Sequence, residues 1–316
     1  MIKHKIAAIT AAIALLISGM VYILYVNYNN FIPASSKAVN EPKSDLSFAV
    51  IGDIHGNTGK LKAALSDLHS INNSMDALVL NGDNVDQGLE GQYEGIKLVI
   101  DKNKKNIPDT IIANIGNHDY FDYSKSANTS QDVEHFKELY YKFSGESSVY
   151  HDKWIKGYHF ISLGSESGNT KILGAVKADI SEKQLDWFKT KLAEDYKSGK
   201  PIFVFLHQHI GTSIKGWIGV VQRQELIKIL SQYPDAVVFT SHTHVLLSID
   251  NVTENLPYTT VNTGGVSYCL KPDGYRVERL YDESQGIYVE VNGNKVTIKG
   301  RDFAKKGWIF TKEISK

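Results

Sequence analysis

The chain has 316 residues, 42% hydrophobic and 22% charged, enough apolar content for a sizeable core in one large or two ordinary domains. Lys plus Arg and Asp plus Glu balance at 35 each, which excludes a global basic footprint for nucleic acid. The single cysteine, Cys269, excludes an intramolecular disulfide framework and a cysteine-rich zinc site.

Lys3, His4 and Lys5 precede an uncharged apolar run of 21 residues, Ile6 to Val26. At about 1.5 Å per helical residue such a run can cross a bilayer core. Tyr22, Tyr25 and Tyr28 fall near its outer end, where aromatic belts sit, and no further Lys or Arg occurs before Lys37. The positive-inside rule then places the N-terminus in the cytosol and the remainder outside the cell membrane. Cleavage at Ser36-Lys37-Ala38, giving a secreted protein, is the alternative, but the run exceeds the usual signal-peptide core of roughly 7–15 residues. The expected organisation is a single-pass transmembrane signal anchor over 1–26, a solvated linker over 27–45 and a folded domain over 46–316.

Phe48-Ala49-Val50-Ile51 reads as a buried strand that ends in Gly52-Asp53-Ile54-His55-Gly56. Side chains two apart on an extended chain share a direction, so Asp53 and His55 are expected to grip one ion. A helix with Leu61, Ala64, Leu65 and Leu68 on one face follows. Ala77 to Leu80 then forms a strand that ends in Asn81-Gly82-Asp83-Asn84-Val85-Asp86. A helix over 88–104 leads to a third strand, Thr110 to Asn114, and to Ile115-Gly116-Asn117-His118-Asp119. This β-α-β-α-β order implies a largely parallel inner sheet with its ligand face at the carboxyl ends of the strands.

Between Tyr120 and Gly199 the spacing predicts a helix over 133–143, a hairpin around Lys156-Gly157, and a capping box at Ser181 to Gln184. His135, His151 and His159 lie here without partners at metal-ligand spacing and read as structural or surface groups. A fourth strand, Ile202 to Leu206, delivers His207-Gln208-His209. After a helix over 220–232, a fifth, Ala236 to Thr240, delivers Ser241-His242-Thr243-His244, whose two imidazoles are expected on one face. The chain after Val245 alternates short strands with turns such as Asn292-Gly293-Asn294, suggesting a second, mainly antiparallel or mixed layer.

Five strand exits thus carry Asp-x-His, Asp, Asn-His, His and His-x-His in order. In these motifs the chain resembles the calcineurin-like metallophosphoesterase superfamily over roughly residues 46–265. The resemblance implies a four-layer α/β/β/α sandwich of two mixed β-sheets flanked by helices, preceded here by the N-terminal transmembrane helix. It implies hydrolysis of phosphate esters at two divalent metal ions. One ion would take Asp53, His55, Asp83 and His244. The other would take Asp83, Asn117, His207 and His242, with Asp83 as the bridge. Imidazole, carboxylate and amide ligands suit Mn, Fe, Zn or Ni. Two divalent ions outweigh the two carboxylates, so the centre stays cationic and attracts a phosphate oxyanion. His118 would face the substrate as acid or phosphate contact, with Asp119 orienting it.

The protein Ser/Thr phosphatase branch reads Gly-Asp-x-Val-Asp-Arg-Gly at the second motif. Gln87 stands here in place of the arginine that would grip phosphate, which argues against that activity and leaves phosphomonoesters and phosphodiesters open. His209 is a candidate substrate or supporting contact, and Asn262-Thr263-Gly264-Gly265 reads as close backbone packing. A non-catalytic, membrane-anchored metal-binding receptor is a rival that the complete motif set disfavours. A zinc β-lactamase-like hydrolase is weaker still, because no Asp-His pair follows His242-Thr243-His244 at the right distance.

Overall fold

Nearly every central strand is apolar on both faces, and that pattern dictates a layered molecule. Along β1 (Leu46–Ile51), Leu46, Phe48 and Val50 enter one buried cluster while Ala49 and Ile51 enter another. β2 (Ala77–Asn81) divides in the same way, with Ala77 and Val79 on one side and Leu78 and Leu80 on the other. On β6 (Ile202–Phe205) and β7 (Ala236–Thr240), Phe203, Phe205, Val237 and Phe239 join the cluster that holds Phe48, and their alternates face a third. A strand buried on both faces needs a layer on each side.

The computed structural model describes residues 44–168, 173–174, 176–211, 218–254, 256–273 and 276–316, and Ser44–Lys316 forms one compact unit. The expected span over 6–26 and nearly all of the expected linker lie outside the described residues. Among the described residues no helix is long and apolar enough to cross a membrane.

The first sheet runs β14-β13-β12-β1-β2-β3, with β3 at Thr110–Asn114, β12 at Gln285–Asn292, β13 at Lys295–Asp302 and β14 at Gly307–Ser315. Its β1, β2 and β3 are parallel, whereas β12 pairs antiparallel with β1. The second sheet runs β4-β5-β6-β7-β9-β8, with β4 at His151–Ile155, β5 at Tyr158–Ser162, β8 at Val252–Thr253 and β9 at Thr259–Asn262. It is parallel from β5 to β9 and antiparallel at both edges. Phe48 anchors the interface between the sheets, with ring centroids 4.8 Å from Phe203 and 5.0 Å from Phe160.

Helices cover the outer faces. The cluster outside the first sheet takes residues from α1 (Thr58–Ile71), α2 (Glu90–Lys102) and α3 (Ser130–Ser144). The cluster outside the second takes residues from α4 (Glu182–Ala193) and α5 (Arg223–Leu230). Two mixed sheets flanked by helices are therefore present, with β1 to β3 parallel in one, as expected, and β6 and β7 in the other. One expectation is corrected. The C-terminal strands β12 to β14 do not form a separate layer, because the free edge of β1 captures them.

Local signals fared unevenly. The hairpin turns at Lys156-Gly157, both with positive φ, as a two-residue connection requires. Ser181 caps α4 through the Gln184 amide N–H, but the capping box is incomplete. The Gln184 side chain reaches Gly164 and Glu166 instead.

Candidate metal centre

The loops after β1 and β2 run side by side. The N–H of Asp53 donates to Gly82 O at 3.1 Å, His55 to Asp83 O at 2.9 Å and Gly56 to Asn84 O at 3.1 Å. Asp53, His55 and Asp83 have φ of 54°, 47° and 48°, and His242 and His244 have 67° and 52°. Asp53 and His55 therefore do not share a direction because a strand is extended. They converge because both sit in the left-handed region, which costs a non-glycine residue energy and concentrates at functional sites. Neighbouring glycines allow the close approach: a Cβ on Gly82 would lie 2.5 Å from the His207 ring, and one on Gly116 would lie 2.2 Å from Asp83 Oδ1.

The seven residues expected to hold metal gather in one place. Ligand atoms of Asp53, His55, Asp83 and His244 lie within 4.8 Å of one another, as do those of Asp83, His207 and His242, so Asp83 belongs to both groups. His242 and His244, expected on one face, are thus divided between the two. Asn117 Oδ1 lies 3.2 Å from His207 Nε2, next to the second group. His135, His151 and His159 join neither, and His159 instead pairs with Asp152 at 2.9 Å. The His209 ring lies 6.1 Å from that of His242, beside the second group.

Backbone donors orient the carboxylates. His242 N–H donates to Asp53 Oδ2 at 3.0 Å and His118 N–H to Asp83 Oδ1 at 2.8 Å. The other oxygens face the cluster: Asp83 Oδ2 lies 3.2 Å from His207 Nε2, and Asp53 Oδ1, wholly buried, lies 3.2 Å from His244 Nε2 and receives no well-formed hydrogen bond among the described residues. The imidazoles are oriented from behind. His207 Nδ1 donates to Asn81 O at 2.9 Å and His244 Nδ1 to Tyr268 O at 3.1 Å, while His55 Nδ1 lies 3.3 Å from Asp86 Oδ1. Each ring then directs Nε2 inward, the arrangement that prepares an imidazole for a metal.

The electrostatics agree. Burial pushes Asp53 up, yet the His244 imidazole beside it holds its pKa below the usual carboxylate value. Burial likewise opposes ionisation of Asp83, and His207 overrides it and holds Asp83 well below that value. Burial pulls His207 down, but Asp83 lifts it to about 9. Two buried carboxylates thus draw positive charge onto rings that burial would keep neutral. Inward lone pairs, an unsatisfied carboxylate oxygen and this demand for positive charge all fit divalent cations.

His118 and Asp119 part company. The Asp119 oxygens accept from Tyr93 Oη and Gly116 N, both at 2.7 Å, and burial pushes its pKa up to about 6. It therefore does not orient His118, because adjacent residues on this short 3-10 turn face different ways. Asp86 is the acid beside His118, with its carbonyl oxygen 2.9 Å and its carboxylate 3.5 Å from His118 Nδ1. The Asp86 carboxylate also meets Tyr123 Oη at 3.2 Å. Its position, three residues after Asp83 in the second motif, was the available signal. Gln87 spends its side-chain oxygen on the Tyr123 N–H at 2.8 Å. Gln208 is a second residue without an expected role. It is fully buried, neither of its amide atoms has a hydrogen-bond partner among the described residues, and it lines a small cavity with Asn117 and Lys177. Gly265 confirms close packing, since a Cβ there would lie 2.9 Å from His244 Nδ1.

The model of the family described as calcineurin-like phosphoesterase matches residues 46–246. A probable cyclic nucleotide phosphodiesterase of Rhodococcus erythropolis is 26% identical over 135 residues, 42% of this chain and 39% of that protein. Among solved structures, the purple acid phosphatase PPD1 of yellow lupin aligns over 85% of this chain and 53% of its own, with TM-score 0.58 and 11% identity. The Plasmodium protein GAP50, the anchor in the inner membrane complex, aligns over 85% and 88%, with TM-score 0.58 and 15% identity. At these identities the structural matches show the fold. The matched region spans less than two thirds of the Rhodococcus and lupin proteins.

Proposed function

The chain belongs to the calcineurin-like phosphoesterase family, and from that premise we propose that it hydrolyses phosphoric ester bonds at a dinuclear centre. Asp53, His55, Asp83 and His244 would hold one divalent ion, and Asp83, Asn117, His207 and His242 the other. Such a pair supplies a water nucleophile at neutral pH and a positive field for the phosphoryl oxygens. The observation that carries this reading is the double membership of Asp83, one carboxylate common to two clusters of ligand-type residues.

The remaining work belongs to the chain. The Asp86 carbonyl accepts from Nδ1–H of His118, so in the doubly protonated ring Nε2–H would be the proton given to the leaving oxygen, and the ring would return to its neutral Nδ1–H form. The N–H groups of His118 and His242 hold the two carboxylates in place. The Rhodococcus relative supports a phosphodiester as substrate, and Gln87, committed to Tyr123, speaks against protein phosphatase chemistry. Residues 6–26 would anchor this domain outside the cell membrane; alkaline extraction of membranes tests the anchoring, and protease accessibility on intact cells tests the side.

The deciding assay compares p-nitrophenyl phosphate with bis-p-nitrophenyl phosphate under added Mn²⁺, Fe²⁺, Zn²⁺ or Ni²⁺. Metal-dependent turnover of at least one, lost in Asp83→Asn, is the expected result. A protein that binds both ions and turns over neither would favour the receptor reading.

A further inference from the structure

A two-stranded hairpin, β10 (Cys269–Asp273) and β11 (Arg276–Leu280), stands beside the centre and carries a stacked column. The Tyr268 ring lies flat on the His244 imidazole, with centroids 4.1 Å apart and planes 10° apart. The Arg279 guanidinium carbon sits 4.4 Å from the centroid of the same tyrosine ring. With His244 filling one face of that ring, Arg279 takes the other. The exposed Tyr281 braces it, with its hydroxyl 3.4 Å from Arg279 Nη1.

The hairpin is fastened to the centre at several points. Ser267 N–H donates to Asp53 O at 2.9 Å, and Leu270 N–H donates to His244 O at 2.6 Å. The Lys60 ammonium donates to Ser267 O, Tyr281 O and Glu283 O, tying both roots of the hairpin to the first turn of α1. The column is therefore built into the wall of the site. Among the described residues Arg279 makes no ion pair with a carboxylate, although its neighbours on the strand include Glu278. A guanidinium held over an aromatic ring, with no acid engaging it among the described residues, is suited to bidentate capture of a phosphate. The second motif offers no arginine for that task, since position 87 is glutamine and its side chain is already used.

We propose that Arg279, on its Tyr268 platform, binds a second phosphate group of the substrate, one carried several bonds from the phosphorus that is attacked. This rests on the phosphoesterase reading of the centre beside it. It makes the preferred substrate a compound with two separated phosphates, and makes Arg279 a specificity residue with no part in the bond cleavage.

The test is calorimetric binding to the Mn²⁺-loaded protein of n-butyl phosphate and of 1,4-butanediol bisphosphate, which differ in the second anion alone. The bisphosphate is expected to bind about tenfold more tightly, the size of one good charge-assisted contact. Arg279→Gln should erase that advantage and leave butyl phosphate affinity and the thermal midpoint unchanged, while Arg279→Lys keeps part of it. Equal affinities in the wild type, or an advantage that survives Arg279→Gln, overturns the proposal while leaving the phosphoesterase reading intact. If neither ligand binds although both ions do, this proposal falls, and the phosphoesterase reading falls with it when bis-p-nitrophenyl phosphate is not turned over either.

Discussion

His55 and His244 point their Nε2 atoms at each other across 3.1 Å. The Nδ1 atom of His244 is committed to the Tyr268 carbonyl, and that of His55 faces the Asp86 carboxylate. Two neutral rings so oriented would oppose lone pairs, and a cation relieves the repulsion. Stripping the protein with a chelator and titrating it with Mn²⁺ or Zn²⁺ should release protons and raise the thermal midpoint. The gain is about 2.7 kcal/mol at a hundredfold excess over Kd. Metal analysis should return two ions per chain, and Asp83→Asn should lose more metal than Asn117→Ala. A midpoint unmoved by any divalent ion would count against the centre.

Asp86, and not Asp119, supports the His118 ring. His118→Asn is expected to lower kcat by about 10²–10⁴ with metal content unchanged, the usual weight of a general acid. Asp86→Asn should lower kcat more than Asp119→Asn, whose carboxyl serves Tyr93 and the Gly116 N–H. The reverse order in a steady-state comparison would restore Asp119 as the orienting acid. Lost metal in proportion to lost activity would move His118 to a structural role.

Arg301 on β13 grips Asp67 on α1 with two parallel hydrogen bonds, Nε to Oδ2 at 2.7 Å and Nη2 to Oδ1 at 2.9 Å. Both residues are buried. Asp67→Ala strands a buried guanidinium and should cost about 3–5 kcal/mol, read as a lower urea midpoint. Replacing both residues by apolar ones should cost less than either single change. An additive double variant would show that the pair is not coupled.

Asp132 accepts from Lys125, and with Thr129 it completes the capping box of α3. The Lys125 ammonium, followed by the Thr129 donors, holds its carboxyl well below the ordinary value of 3.8. A lowered pKa means that the native state binds fewer protons than the unfolded chain. The stabilisation is therefore present above pH 3.8 and fades as the pH falls through the native pKa. Asp132→Asn should be less stable than the wild type at pH 7, and the gap should close as acid is added. A gap that stays constant down to pH 2 would assign the effect to lost hydrogen bonds alone.

The residues of the centre were legible because their signal is local. An acid or imidazole immediately after an apolar strand needs only a few positions to be recognised, and Asp53, His55, Asp83, Asn117, His207, His242 and His244 all lie at such exits. The hairpin at Lys156-Gly157 was legible for the same reason. Asp119 was misread because sequence adjacency to His118 carries no information on which way each side chain turns around the 3-10 turn.

By itself, then, the amino-acid order determined the chemistry on offer: which strands are buried on both faces, and which ligand-type groups stand at their ends. Tertiary structure alone decided how the strands divide between the two sheets and that β12 to β14 close onto β1. It also decided that Tyr268 and Arg279 stand against His244. Burial periodicity records whether a residue is covered, not what covers it, and partners far apart in the chain meet only after both sheets have packed.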